Sequence, residues 1–217
     1  MVSQLPIGQC DSVELTNVKS ISYYGWGDGM DVFSSSNVIL DGVFCRNSDD
    51  CAAVYASTQG FKGGSNNVLV KNATLWADVA HPINIGGHGD PNGMDTVQNV
   101  TFRNIDILDQ AEKQIDYQGC LAINPGDNTL VRNITFENIR IEDFRNGQLV
   151  NFRISFNPKY CVSTGRGIQN VLVKDVTYNG SGENLSIIAG YDENHKISGI
   201  RLSLIHISEP TRQAEIS

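Results

Sequence analysis

Long hydrophobic runs are missing from this 217-residue chain, and with no stretch of 18 apolar residues it is not expected to cross a membrane as a helix. Positive charge is also scarce. Sixteen Lys and Arg face 24 Asp and Glu, a net −8, which argues against nucleic acid or an anionic membrane as partner. The five cysteines (Cys10, Cys45, Cys51, Cys120, Cys161) are an odd number with no CxxC pair. They suggest neither a disulfide framework nor a zinc site, and most read as small buried residues. No phosphate loop, nucleotide fingerprint or Ser-His-Asp order occurs, so no cofactor and no metal are expected. Met1 to Pro6 lack the charged and apolar regions of a signal peptide. Leu and Ala are sparse, whereas Gly, at 21 residues, and Asn are frequent. That mixture suits turns and strands rather than helices.

One pattern recurs along the chain: Asn, apolar, any, apolar, any, Asn/Asp/Gly, apolar. It begins at Ser12 (VELTNV follows), Asn37 (VILDGV), Asn67 (VLVKNA), Asn99 (VTFRNI), Asn133 (ITFENI) and Asn170 (VLVKDV), with a further start near Gly199. The first six starts lie 25, 30, 32, 34 and 37 residues apart. Apolar positions alternate inside each copy, the period of a half-buried strand. Between copies lies a second apolar stretch, starting at Met30, Ala52, Ile83, Leu121, Val150 and Ser186. One such unit cannot bury its apolar face, but a stack of them can. The prediction is an all-β, right-handed parallel β-helix with ~4.8 Å between coils. Growing offsets place extra residues in loops such as Ser57 to Ser65 and Gln110 to Gln118. Asn72, Asn99 and Asn133 match glycosylation acceptors, but their positions follow the repeat, so they read as ladder or turn residues.

The repeat also serves as a ruler. Aligning the second strands puts Asp28, Asp50 and His81 in one column, with Asp49 beside it. Asp28 would share the buried face of Met30 and Val32 if alternation began early. It must therefore lie in the bend before the strand, or Asp31 takes its place. Close carboxylates repel, which can leave one ionised and one protonated. General acid and base roles need that split. Asp is also common in turns, so each acid alone has a structural reading.

Gly27-Asp28-Gly29, then Ser48-Asp49-Asp50-Cys51, then His81 resemble the ordered motifs of glycoside hydrolase family 28, the polygalacturonase and rhamnogalacturonase group. The resemblance covers roughly residues 12–201. It implies a solenoid of the pectin-lyase type and inverting cleavage of a glycosidic bond in a polysaccharide. Carried over, Asp49 is the general acid, Asp28 and Asp50 hold and deprotonate the water, and His81 tunes the acid or touches sugar. Inversion needs ~6.5–9.5 Å between acid and base. Asp31, Trp26, Tyr55, Tyr117, Gln118 and Arg153 are the candidate sugar contacts, the aromatics by stacking on C–H faces. The resemblance further implies secretion, and a monomer is expected.

Two departures stand out. Pro82 follows the histidine where the family has Gly, and the next coil, Asp116 to Asn124, lacks the family's Arg-x-Lys pair. The closest candidate cation is Arg153, in the second strand of the coil after it. This leaves open a neutral glucan substrate, as for the β-helical dextranases and isopullulanases. A calcium-dependent lyase or a non-catalytic adhesin-like module are the other readings. Finally, Leu202 to Arg212 resemble a translated sequencing adapter, with Gln213 to Ser217 following it. Residues 1–201 are thus expected to form a single incomplete β-helix domain, and 202–217 a non-native tail. The natural chain is expected to continue past Arg201, and Met1 to be an internal residue.

Overall fold

The computed structural model describes residues 5–181 and 184–208. These contain no helix, and every pairing between strands is parallel. One sheet is built from seven short strands: Leu5–Gly8 (β1), Met30–Phe33 (β4), Ala52–Tyr55 (β7), Ile83–Gly86 (β9), Leu121–Asn124 (β11), Val150–Arg153 (β13) and Ile187–Ala189 (β15). The facing sheet begins with Asp11–Thr16 (β2) and Ser36–Asp41 (β5). It continues through the long strands Ser65–Ala77 (β8), Thr96–Asp109 (β10), Leu130–Glu142 (β12), Gly167–Asn179 (β14) and Lys196–Ser208 (β16). Lys19–Ile21 (β3) and Phe44–Asn47 (β6) extend the first two rungs beyond a bend. The chain alternates between the sheets as it climbs, which makes it a parallel β-helix.

The recurring motif is the ladder itself. Val13, Val38, Val68, Val100, Ile134, Val171 and Ile200 are successive register partners. All but Val13 and Ile200 are fully buried in one continuous core, so each coil completes the apolar face of the one below. The Asn positions lie at bends. Asn67, Asn99, Asn133 and Asn170 have φ of 55–56°, and Asn72, Asn104 and Asn138 have 54–57°. Asn tolerates this left-handed region because its short amide bonds locally. The amides also bond along the stack: Asn72 Nδ2 donates to Asp41 Oδ1 (2.7 Å), Asn99 to Asn66 (2.8 Å) and Asn133 to Asn99 (3.1 Å). They are ladder residues, as the repeat predicts. Cys45, Cys51, Cys120 and Cys161 are buried free thiols.

The strand pairing does not stop at Arg201. β16 stays in register with β14 through Ser208, and Ile205 packs against the core. Residues 202–208, set apart from the repeat by sequence, are thus placed in a seventh rung. Its Leu204 sits at φ 55° where the rungs below have Asn138 and Asp175. Residues 209–217 lie outside the described residues.

β4, β7, β9 and β11 are buried on both faces. Met30, Val32, Val54, Ile83 and Ile85 point into the core. Asp31, Phe33, Ala53, Tyr55 and Asn84 alternate with them on the outer face, which the connecting loops cover. That covered outer face carries the site.

Candidate active site

The acids sit just ahead of three stacked strands. Met30 pairs with Ala52, and Ala52 with Ile83. The ladder continues two residues earlier, where Gly29 N donates to Asp50 O (2.7 Å) and Cys51 N to His81 O (2.9 Å). Asp28, Asp50 and His81 therefore form the column that the repeat alignment predicts, and Asp28 lies in the bend before β4. Gly29 makes this approach possible, since a Cβ there would stand 2.2 Å from Cys51 O.

Asp50 is the most heavily bonded group in the site. Its Oδ1 accepts from His81 N (3.1 Å) and faces His81 Nδ1 (2.7 Å). Its Oδ2 accepts from the Tyr55 hydroxyl (2.9 Å) and Asn84 Nδ2 (2.7 Å). The other His81 nitrogen, Nε2, faces the Tyr117 carbonyl at short range. Both ring nitrogens thus meet acceptors, and only the imidazolium supplies two donors. Burial pushes the His81 pKa down, but Asp50 outweighs it and holds the value up at about 9. Burial likewise opposes charge on Asp50, and the His81 charge and four donors overcome it, leaving its pKa below the ordinary 3.8.

Asp49 differs. Its Oδ1 accepts only the Asp50 amide (3.0 Å). Burial, then the Asp50 charge, raise it to about 7, against the opposing pull of that amide and His81. The two neighbouring carboxyls are thus split into a proton holder and a permanent anion. Asp28 is fully buried, and the partner of its side chain is a second buried acid, Asp31, with which it shares a hydrogen bond. Burial, then the charges of Asp31, Asp50 and Asp49, lift it to about 10, so it is neutral at neutral pH.

A cavity of about 330 Å³ opens over this face. Asp49, Asp50, Tyr55, His81 and Asn84 form its floor. Glu112, Gln114 and Tyr117 come from the loop after β10, and Lys159 and Tyr160 from the loop after β13. His88, Trp26, Ala80 and Gly87 complete the lining. The His88 ring stands edge-on to Tyr55 (5.2 Å).

The candidate residues divide accordingly. Asp49, Asp50, His81, Trp26, Tyr55 and Tyr117 line the cavity, Trp26 at 63% exposure. Tyr55, at 1%, chiefly clamps Asp50. Asp28 and Asp31 lie buried beneath and do not reach the cavity. Gln118 turns away to donate to Asn146 (3.3 Å), and Arg153 is held by Asp116 (2.7 Å). Besides the His81 imidazolium, the cation lining the cavity is Lys159 instead, with its ammonium 4.7 Å from the Tyr160 ring centre and 5.5 Å from that of Trp26. Ala122 and Asn124 occupy the outward positions of β11, the coil that lacks a basic pair. Sequence reasoning missed His88, Glu112, Gln114, Lys159 and Tyr160, all on loops. Its one usable signal was the excess length of the Gln110–Gln118 loop.

Fold and site together define a parallel β-helical protein with a split pair of carboxyls at the base of a cavity. The chain belongs to Glycosyl hydrolases family 28, whose family model matches residues 4–217. It is 29% identical over 164 residues to a probable endo-xylogalacturonan hydrolase A of Neosartorya fischeri, covering 75% of this chain and 38% of that protein. It is 30% identical over 182 residues to a probable endopolygalacturonase D of Emericella nidulans, covering 81% and 32%. The chain thus spans well under half the length of these relatives. A solved endo-xylogalacturonan hydrolase from Aspergillus tubingensis aligns with TM-score 0.38 and 14% identity, over 97% of this chain and 74% of that one.

Proposed function

We propose that this chain carries the catalytic coils of a hydrolase that cleaves a galacturonan-type pectic polysaccharide with inversion, outside the cell. Family membership favours hydrolysis over the lyase and adhesin readings, and the relatives named for xylogalacturonan and polygalacturonan supply the substrate class. Asp49 protonates the leaving oxygen. Asp50 holds the attacking water and takes its proton late, when the sugar already carries oxocarbenium charge. His81 keeps Asp50 ionised. Asp28, neutral and buried behind this pair, supports the column instead of touching water.

The observation that carries the reading is the split between adjacent acids: Asp49 is raised to about 7 while His81, Tyr55 and Asn84 hold Asp50 ionised. The acid must be protonated and the base ionised, so activity falls as pH rises through about 7. The acid-side limb lies below the ordinary carboxylate range. The test is Asp49→Asn in the full-length protein, assayed on polygalacturonate and xylogalacturonan. The expected loss in kcat is about 10³-fold or more with the unfolding midpoint unchanged. Near-parental kcat in a folded variant would remove Asp49 from the acid role.

A further inference from the structure

The rungs that carry Asp50 and His81 open into the cavity, but the next two do not. Ala122 and Asn124 of β11 and Asn151 of β13 hold outward positions, alternating with the core residues Leu121, Ile123, Val150 and Phe152. A groove running on along the stack would have its floor there. All three are at most 2% exposed, and none of them lines the cavity. They are covered by a clasp between two loops that reach over from opposite ends of the strands. Residues 110–120 precede β11, and residues 154–166 follow β13.

Side chains hold the clasp shut. The Tyr160 hydroxyl donates to Gln114 Oε1 (3.1 Å). The Tyr160 and Tyr117 rings meet edge to face with centres 5.7 Å apart. The Arg153 guanidinium, at the end of β13, pairs with Asp116 at 2.7 Å. A tight turn sets Tyr160 in place, since its amide and that of Cys161 both donate to the Asn157 carbonyl (3.0 Å each). On the other side the Tyr117 carbonyl faces His81 Nε2, so the clasp begins directly beside the catalytic rungs. Gln114, Tyr117 and Tyr160 therefore form a wall that closes the cavity toward β11 and β13.

The wall limits how much glycan the site can take. The Asp50 rung lies two rungs from β11, ~10 Å at the spacing between strands. A chain laid along the stack past Asp49 and Asp50 meets the wall within roughly two sugar rings. The cavity, at about 330 Å³, is also at the small end of ligand pockets, which suits a chain end better than a chain in passage. We propose that the cavity is a blind pocket for the end of a galacturonan chain, and that the protein releases mono- or disaccharide from that end. This rests on the reading of the site as a galacturonan hydrolase with Asp49 and Asp50 as its acid and base. Each turnover adds one water across a linkage near the chain end. Asp49 gives its proton to the leaving oxygen, and the water yields a proton to Asp50 as it bonds to the anomeric carbon.

The test is the size of the products that the full-length protein makes from polygalacturonate, followed together with the viscosity of the solution. A protein that works from the chain end releases mono- or digalacturonate from the first turnovers, and viscosity stays high while sugar accumulates. Longer oligomers with a steep early fall in viscosity mean cleavage within the chain and overturn the proposal. Tyr160→Ala removes a hydrogen bond and a ring contact from the wall. In the folded variant the share of products longer than a dimer should rise severalfold by size-exclusion chromatography. An unchanged product pattern there also overturns the proposal. If the variant does not fold, the parental pattern decides alone. The proposal and the reading beneath it fail separately. Galacturonan cut within the chain sinks the blind pocket only, whereas no hydrolysis of polygalacturonate or xylogalacturonan sinks the substrate reading and the pocket with it.

Discussion

Asp49 and Asp50 are neighbours in sequence with opposite environments, and the difference comes from what each oxygen meets. Four donors, one of them the His81 imidazolium, surround Asp50, while Asp49 has one amide. Asp28 hydrogen-bonds another buried acid, Asp31, so a proton has to sit between them. Its folded pKa of about 10 exceeds the ordinary 3.8, so the folded state holds a proton that the unfolded chain releases. Stability on its account is full below 3.8 and declines as pH rises toward about 10. Asp28→Asn should therefore raise the urea midpoint of the full-length protein, by more at pH 8 than at pH 5. An equal change at both values would show that Asp28 is not protonated in the fold. The column of Asp28, Asp50 and His81 was legible because it obeys the coil spacing. His88, Glu112 and Lys159 were not, since loop residues follow no period and only three-dimensional closure brings them to the cavity. Arg153 misled for the same reason: sequence shows a cation near the site but not the Asp116 carboxylate that holds it.

At the scale of the strand and its bends, the Asn columns do two jobs. They accept the left-handed backbone at each corner, and they tie coil to coil through side-chain amides. Asn104 Nδ2 donates to Asn72 (2.7 Å) and its Oδ1 accepts from Asn138 (3.3 Å). Asn104→Leu should lose these bonds and the one its Oδ1 accepts from Arg140 (3.0 Å), and add backbone strain, lowering stability by about 1–2 kcal/mol by urea titration. A change below a few tenths would mean that the ladder contributes nothing. Leu204 provides the natural contrast, an apolar side chain at φ 55° in the same column. The strands themselves were readable almost residue for residue, because alternation and the repeat reported the same register. Where the pairing ends was not. The stretch after Arg201 was set aside for its resemblance to an adapter, yet Leu202, Ile205 and Ile207 keep the alternation that pairs with Val173, Val176 and Tyr178.

Across the whole molecule, the site is assembled from coils that are far apart in sequence. The acids and His81 enter from three successive rungs, and the walls descend from the next two through the loops after β10 and β13. A solenoid holds these parts in place because each rung is locked to its neighbours along both sheets. The floor of the site is thus built on paired strands and its walls on loops. The most direct measurement of the central claim is ¹H NMR of the first product released when the full-length protein acts on polygalacturonate. The account predicts that the new reducing end appears first in the anomeric form opposite to the bond cleaved, and only later mutarotates. First appearance of the retained anomer would contradict it.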